Sequence, residues 1–202
     1  MQKTRVLTVK ESRLCQGDIL RDVHWVEYVT ERGGLIEVAK VVFPLAIVLT
    51  QDCDLKQDHQ FRSEPHPTQD KWLISVLMAP LYNIEHVYLG EHLSELGIRM
   101  ERVPKSGSTG NFLRNNERPR YHYIEFDDDV PIVPSVIDFK HYFSATATYL
   151  MGLKPTSFVC SVAPIFREDI AQRFAAYLAR VGLPDLLIAA EKLGEDNTIS
   201  SG

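Results

Sequence analysis

From Gly17 onward the chain alternates apolar and polar positions. Ile19, Leu20, Val23, Trp25, Val26, Tyr28 and Val29 are interleaved with charged or small polar residues, the near two-residue period of a half-buried strand. Gly33-Gly34 supplies the positive-φ residues of a tight hairpin, and Leu35 to Val42 reads as the returning strand. Pro44 lacks a backbone donor and belongs at a strand start or edge. Behind it, the unbroken apolar run Leu45 to Leu49 makes Val41 to Thr50 a central strand that ends in the polar turn Gln51-Asp52-Cys53-Asp54. Cys53 to Lys71, with His59, Pro65, His66 and Pro67, shows neither periodicity and is expected to be a long exposed loop.

Further strands are expected at Trp72 to Pro80, Tyr121 to Phe126 and Ile132 to Phe139, the last two separated by an acidic turn at Asp127-Asp128-Asp129. Gly90 to Leu96 reads as one or two helical turns. Arg99 to Arg120, with Gly107-Ser108-Thr109-Gly110 and Asn115-Asn116, is flexible by composition. The period then changes: Ile170, Phe174, Tyr177, Leu178 and Val181 recur at helical spacing, predicting an amphipathic helix over Arg167 to Val181 with Gly182 as its C-cap. Pro184 opens a short second helix through Leu193, and the polar residues 195–202 form a flexible tail. The pattern is that of one α+β domain over residues 1–194.

Composition changes little in this picture. The 202 residues are 45% hydrophobic and 24% charged, an ordinary globular balance. No apolar run reaches the roughly 18 residues of a membrane span, and Met1 to Arg5 leads into no signal-peptide core, so a cytoplasmic location is expected and no membrane partner. Cys15, Cys53 and Cys160 are odd in number and irregularly spaced, which predicts free thiols. No cofactor is expected. The net charge of −5 excludes a general nucleic-acid-binding coat.

Candidate chemistry falls in three places. At the strand end, Cys53 and Asp54 with the preceding Thr50 could form a reactive centre. A cysteine enzyme would need His59, His66 or His122 as base, and the acidic neighbours disfavour a thiolate. The structural reading is a corner in which Asp52 and Asp54 bond turn amides. Cys53, His59 and His66 could also ligate zinc, although C-x5-H-x6-H matches no standard pattern. The strongest charge signal is Arg99 to Arg120: Arg99, Arg102, Lys105, Arg114, Arg118 and Arg120 against Glu101 and Glu117. Such cations bind phosphates, and Tyr121 and Tyr123 could stack on unpaired bases; the competing reading is a solvated loop with both tyrosines packed on the sheet. Ile170, Phe174, Tyr177 and Val181 could dock a partner, or simply cover the sheet.

Gly17-Asp18-Ile19 followed by Phe43-Pro44-Leu45-Ala46-Ile47-Val48-Leu49-Thr50 resembles the opening of MazF/PemK-type toxins, over about the first quarter of the chain. The resemblance implies an SH3-like, mostly antiparallel β-barrel with a C-terminal helix, homodimerisation, and metal-independent endoribonuclease activity. It implies roles for Thr50, at the strand-end hydroxyl position, and for Arg32, placed where a catalytic arginine precedes the hairpin. Phe43 stands where the family has arginine. Three functional classes remain open at this level: a toxin-like domain binding single-stranded RNA or DNA with endoribonuclease activity, a non-catalytic protein-interaction domain of a bacterial defence or regulatory system, and a Cys- or metal-dependent enzyme centred on Cys53.

Overall fold

The computed structural model describes residues 3–7, 9–105 and 111–180. The element order is β1 (Asp18–Arg32), β2 (Leu35–Val48), α1 (Asp52–Ser63), β3 (Ser75–Asn83), α2 (Ile84–Leu89), β4 (Tyr121–Ile124), β5 (Ser135–Asp138), β6 (Phe143–Thr146), α3 (Ala147–Ser157), β7 (Phe158–Ser161) and α4 (Pro164–Leu178), with 3-10 turns at Ser94–Leu96 and Phe139–His141. Among the described residues all strand pairs are antiparallel, and the fold is α+β: a curled half-barrel sheet with four helices.

β3 is the hub of the sheet. One edge pairs β2 through Ala46–Pro80 and Val48–Met78. The other edge pairs β6 at Ser75 to Met78 and β5 at Leu81 to Asn83. β5 and β6 therefore act as one strand broken by the 3-10 turn at Phe139–His141. β4 pairs the outer edge of β5, and β7 pairs β1 at the opposite margin. The N-terminal segment links these two margins. The Thr4 amide donates to the Glu125 carbonyl (2.6 Å) beside β4, while the Leu7 amide donates to the Ser161 carbonyl (2.8 Å) on β7. Backbone groups otherwise left unpaired at the sheet edges are thereby satisfied.

Three apolar clusters follow from the alternation. Ile19, Ile47, Ile124, Ile137 and Phe139 pack under Ile170 and Phe174 of α4. Leu20, Val23, Phe43 and Met78 pack under Leu150 of α3. Tyr82, Ile84, Val87, Leu113, Tyr123 and Val136 form the third, around α2. The stripe on α4 thus covers the sheet and is not free for a partner. α4 begins at Pro164, three residues before the expected start; the expected end at Val181, the Gly182 cap, the helix through Leu193 and the tail 195–202 lie outside the described residues.

The expected loop after Cys53 is corrected by α1. This helix has no ordinary apolar stripe: its buried residues are Leu55 and the charged Asp58. Asp58 takes the Arg62 guanidinium at 2.9 Å and the Leu73 amide at 2.5 Å, so a polar anchor replaces the hydrophobic period by which helices are recognised. Asp52 and Asp54 in the first turn and Arg62 in the last complement the helix dipole. The segment 143–161 carries β6, α3 and β7. Both strands are only four residues long, and α3 contains Pro155 near its end.

One ion pair sits almost fully inside the protein. Lys154 of α3 donates to Asp18 at 2.7 Å, with side chains 3% and 1% exposed, and also donates to the Arg13 carbonyl. Asp18 further accepts the Cys15 amide at 2.8 Å and pairs in register with Ser161. Burial still pushes the Asp18 carboxyl above its ordinary value, against the pull of Lys154. Lys154→Ala should cost about 3–5 kcal/mol, because it leaves a buried carboxylate without its counter-ion. Urea unfolding at several pH values tests this. The deficit should shrink as the pH falls, since the uncompensated Asp18 then takes up a proton in the fold.

Candidate functional site

The residues expected to form a strand-end centre have structural partners or lie apart. The Thr50 hydroxyl accepts the Leu77 amide at 2.7 Å, extending the β2–β3 pairing by one side-chain bond. Cys53 and Asp54 are exposed on the first turn of α1, with the Cys53 sulfur 3.6 Å from Asp54 Oδ1. The acid that organises this corner is Asp52: Arg13 grips it at 2.8 and 3.0 Å, and the Gln16 amide adds 3.2 Å. Arg32 is at the tip of the β1–β2 hairpin, the far end of β2 from Thr50. Cys53, His59 and His66 do not converge. Cys53 and His59 are six residues apart on one helix, which places them on different faces, and His66 stacks on Phe61 with ring centres 4.0 Å apart. The expected thiol and zinc centres therefore lack their partner groups.

His122 cannot serve as a base for Cys53. It is buried on β4 beneath α4, 5% exposed, and burial pushes its pKa down to about 3, with Arg173 adding to the effect. It is a neutral core histidine.

The basic segment divides into structural and free cations. Arg120 is bound to Asp138 through Nε (2.8 Å) and a terminal nitrogen (2.5 Å). Arg114 lies over the Tyr123 ring, Arg118 over Phe112 at 4.1 Å, and Lys105 pairs with Glu85. Arg99 and Arg102 are exposed. Tyr123 is a correction: it is 2% exposed, and its hydroxyl donates to Glu125 at 2.6 Å, so it packs in the third cluster and offers no base-stacking face. Tyr121 is half-buried. The backbone from Asn116 to Tyr121 is gathered by Arg173 of α4, which donates to the carbonyls of Asn116, Arg118 and Tyr121 at 2.8–3.1 Å. Residues 111–120 of this segment are accordingly a held turn and not a loose linker.

What the fold does bring together is Tyr82, His92, Arg120, Asp138 and His141. Ligating atoms of His92, Asp138 and His141 all lie within 4.8 Å of one another, the only such group of three among the described residues. Each is placed by a different device. Asp138 ends β5 fully buried, and its Oδ1 accepts the Lys140 amide at 3.0 Å, capping the 3-10 turn that carries His141. His141 Nδ1 is 3.4 Å from Asp138 Oδ2 and 3.1 Å from the Tyr82 hydroxyl on β3. Gly90, at φ 71°, caps α2 and turns the chain toward His92; a Cβ there would collide with the Met100 carbonyl.

Two clefts meet at His92. One, of about 330 Å³, is mostly apolar, between the β2 edge (Val41 to Leu45), Tyr82 and Leu93. The other, of about 250 Å³, is lined by Arg102, Arg118, Arg120, Phe112 and Tyr121. Burial lowers the pKa of both His92 and His141, with Asp138 pulling the other way. Neither His92 ring nitrogen has a hydrogen-bond partner, and against burial the Asp138 charge and then the nearby His86 carbonyl favour its protonated form. Burial, then the Asp138 charge, holds the Tyr82 hydroxyl well above its ordinary range. Asp138 can hold only limited further charge, because Arg120 and the Lys140 amide already occupy its oxygens. A cation is thus built into the site by the chain itself.

Sequence reasoning picked out Arg120 and Tyr121 but missed Tyr82, His92, Asp138 and His141. The one local signal is Asp138-x2-His141 at a strand end; His92 is about fifty residues away and nothing in the sequence ties it to them. Comparison of the chain with family models, with curated proteins and with solved structures finds no match.

The neutral histidines set the acid stability. A histidine whose folded pKa is lowered contributes fully above its unfolded value near 6.5 and loses that contribution as pH falls below it. Unfolding free energy should drop by about 1.4 kcal/mol per pH unit for each buried histidine that titrates below pH 6.5. His122→Leu should flatten the slope by about one proton in urea titrations between pH 7 and 5. An unchanged slope would mean His122 is protonated in the fold.

Proposed function

We propose that the cluster is the acid–base centre of a metal-independent endoribonuclease acting on single-stranded RNA. The observation that carries this reading is the meeting of two histidines and a carboxylate-held arginine where an apolar cleft joins a cationic one. Arg102 and Arg118 supply the path for the phosphate backbone, and the apolar cleft accommodates an unstacked base, which a duplex would not present. We read the curled sheet as a variation on the SH3-like barrel of MazF/PemK-type toxins, with the chemistry moved from the β1–β2 side to the β4–β5 wall.

The groups present suit RNA transesterification. His92 is neutral and carries an unused nitrogen lone pair, so it takes the proton from the 2′-hydroxyl as O2′ attacks phosphorus. Arg120 and Arg118 stabilise the charge on the phosphorane oxygens. His141, whose proton burial disfavours and Asp138 at 3.4 Å helps to retain, gives it to O5′ as the P–O5′ bond breaks. The products are a 2′,3′-cyclic phosphate and a 5′-hydroxyl. Tyr82 and Asp138 position His141 and do not react.

The same donor set of two histidines and one carboxylate could hold a divalent metal ion. The bidentate Arg120 pair weighs against it, because a dication would have to share Asp138 with a guanidinium.

Cleavage of unstructured RNA in the presence of a chelator should be lost on replacing the tested 2′-hydroxyls with hydrogen. His92→Ala and His141→Ala should each lower the rate by about 10²–10⁴-fold. A substrate with sulfur in place of the bridging O5′ should restore His141→Ala, whose defect is leaving-group protonation, and not His92→Ala. Cleavage that requires added metal would replace this reading with the metal one, and an absence of cleavage in the wild type would end both. Arg102→Ala with Arg118→Ala should weaken RNA binding and reduce its salt slope by about two.

A further inference from the structure

The largest unabsorbed feature is the distal part of the β1–β2 hairpin. β7 pairs β1 only over Asp18 to Leu20, and β3 pairs β2 only over Ala46 to Val48. Beyond those limits the two strands pair with each other out to Arg32–Leu35 and project as a two-stranded arm. A bulge at Glu27 increases its twist. The base of the arm is anchored: the His24 amide donates to the Tyr149 hydroxyl at 2.9 Å, and Phe43 stacks on Phe143.

Both faces of this arm are apolar. The register places Val26, Val29, Ile36, Val38 and Val42 on one side and Trp25, Tyr28 and Leu35 on the other, with Leu35 and Ile36 more than 70% exposed. Five of these eight side chains, Val26, Val29, Ile36, Val38 and Val42, lie exposed together on the Val29–Val38 face. Monomeric proteins seldom leave so large an apolar surface in water, and a two-stranded ribbon is marginal without a covering layer.

We infer that a second copy of this chain covers the arm, the two arms crossing antiparallel through the Val29–Val38 face. Two properties of the arm favour a copy of itself. Residues 21–42 carry three cations and four acids, so two arms meet almost without net repulsion although the whole chain is at −5. On the same face, Glu31 lies toward the tip, paired with Ile36, and Lys40 toward the base, paired with Val26. An antiparallel crossing about Val29 and Val38 sets Glu31 of each arm against Lys40 of the other. The apolar centre and charged ends are then complementary under a two-fold axis.

Sedimentation equilibrium of the full chain tests this. The wild type should show twice the 23.0 kDa chain mass. Val38→Lys, which puts two unpaired ammonium groups at the axis, should raise the dissociation constant by about 100-fold or more. Glu31→Lys should weaken the dimer, and Glu31→Lys with Lys40→Glu should restore it. Ile165→Lys, exposed on α4 away from the arm, should have no effect. All of these positions are exposed, and circular dichroism verifies that each variant is folded. A wild type that stays at 23.0 kDa, a dimer indifferent to Val38→Lys, or a charge swap that fails to restore association overturns the inference.

Discussion

Asp138 is the residue on which fold and candidate site both depend. Its carboxylate ends β5, binds Arg120 from the start of β4, and caps the 3-10 turn that breaks the strand before β6. That break is needed because β5 and β6 follow one edge of β3 with three residues too many for a continuous strand. The surplus becomes the turn, and the turn presents His141. A buried carboxylate with no partners would be costly; here its oxygens receive a bidentate guanidinium and a backbone amide, with an imidazole alongside. The geometry of the site is therefore maintained by the same contacts that join β4 to the rest of the sheet.

A similar use of charge recurs elsewhere. Asp18 with Lys154 and Asp52 with Arg13 each join segments that apolar packing alone would leave loosely related, and the Asp58–Arg62 pair of α1 does so through the Leu73 backbone. Lys154 connects α3 to the start of β1 and to the Arg13 carbonyl; Asp58 connects α1 to the entry of β3 through Leu73. Such groups are weak sources of net stability but strong determinants of which arrangement is adopted, since displacing either partner strands the other away from water. The basic character of residues 99–120 must be discounted in the same way: Arg120 belongs to the framework, and the cations left facing the cleft are Arg102 and Arg118.

The β1–β2 hairpin shows how one pair of strands can serve two regions. Near Ile19 and Ile47 it is interior sheet, buried on both faces. Past Val23 and Phe43 it leaves the body while keeping its β-branched composition, so the apolar period continues where no core exists to receive it. The same alternation that builds the half-barrel wall thus also produces an exposed apolar surface.

Alternation and turn chemistry were sufficient to read β1, the Gly33-Gly34 hairpin, β2 and the strand following α1, because those signals are local: side-chain period and positive-φ glycines are properties of a few consecutive residues. α1 was not legible, since its buried face is held by Asp58 and Arg62 instead of an apolar stripe, and β6 and β7 are too short to show a period. The reactive corner expected around Thr50, Cys53 and Arg32 followed from chain proximity and resemblance; in the fold Thr50 bonds a backbone amide and Arg32 sits at the hairpin tip. His92, Asp138 and His141 come together only because β3 pairs β5 while α2 folds back under its Gly90 cap. Residue types and local periods were determined by the sequence itself, whereas the meeting of groups some fifty positions apart depends on strand pairing, which no local pattern encodes.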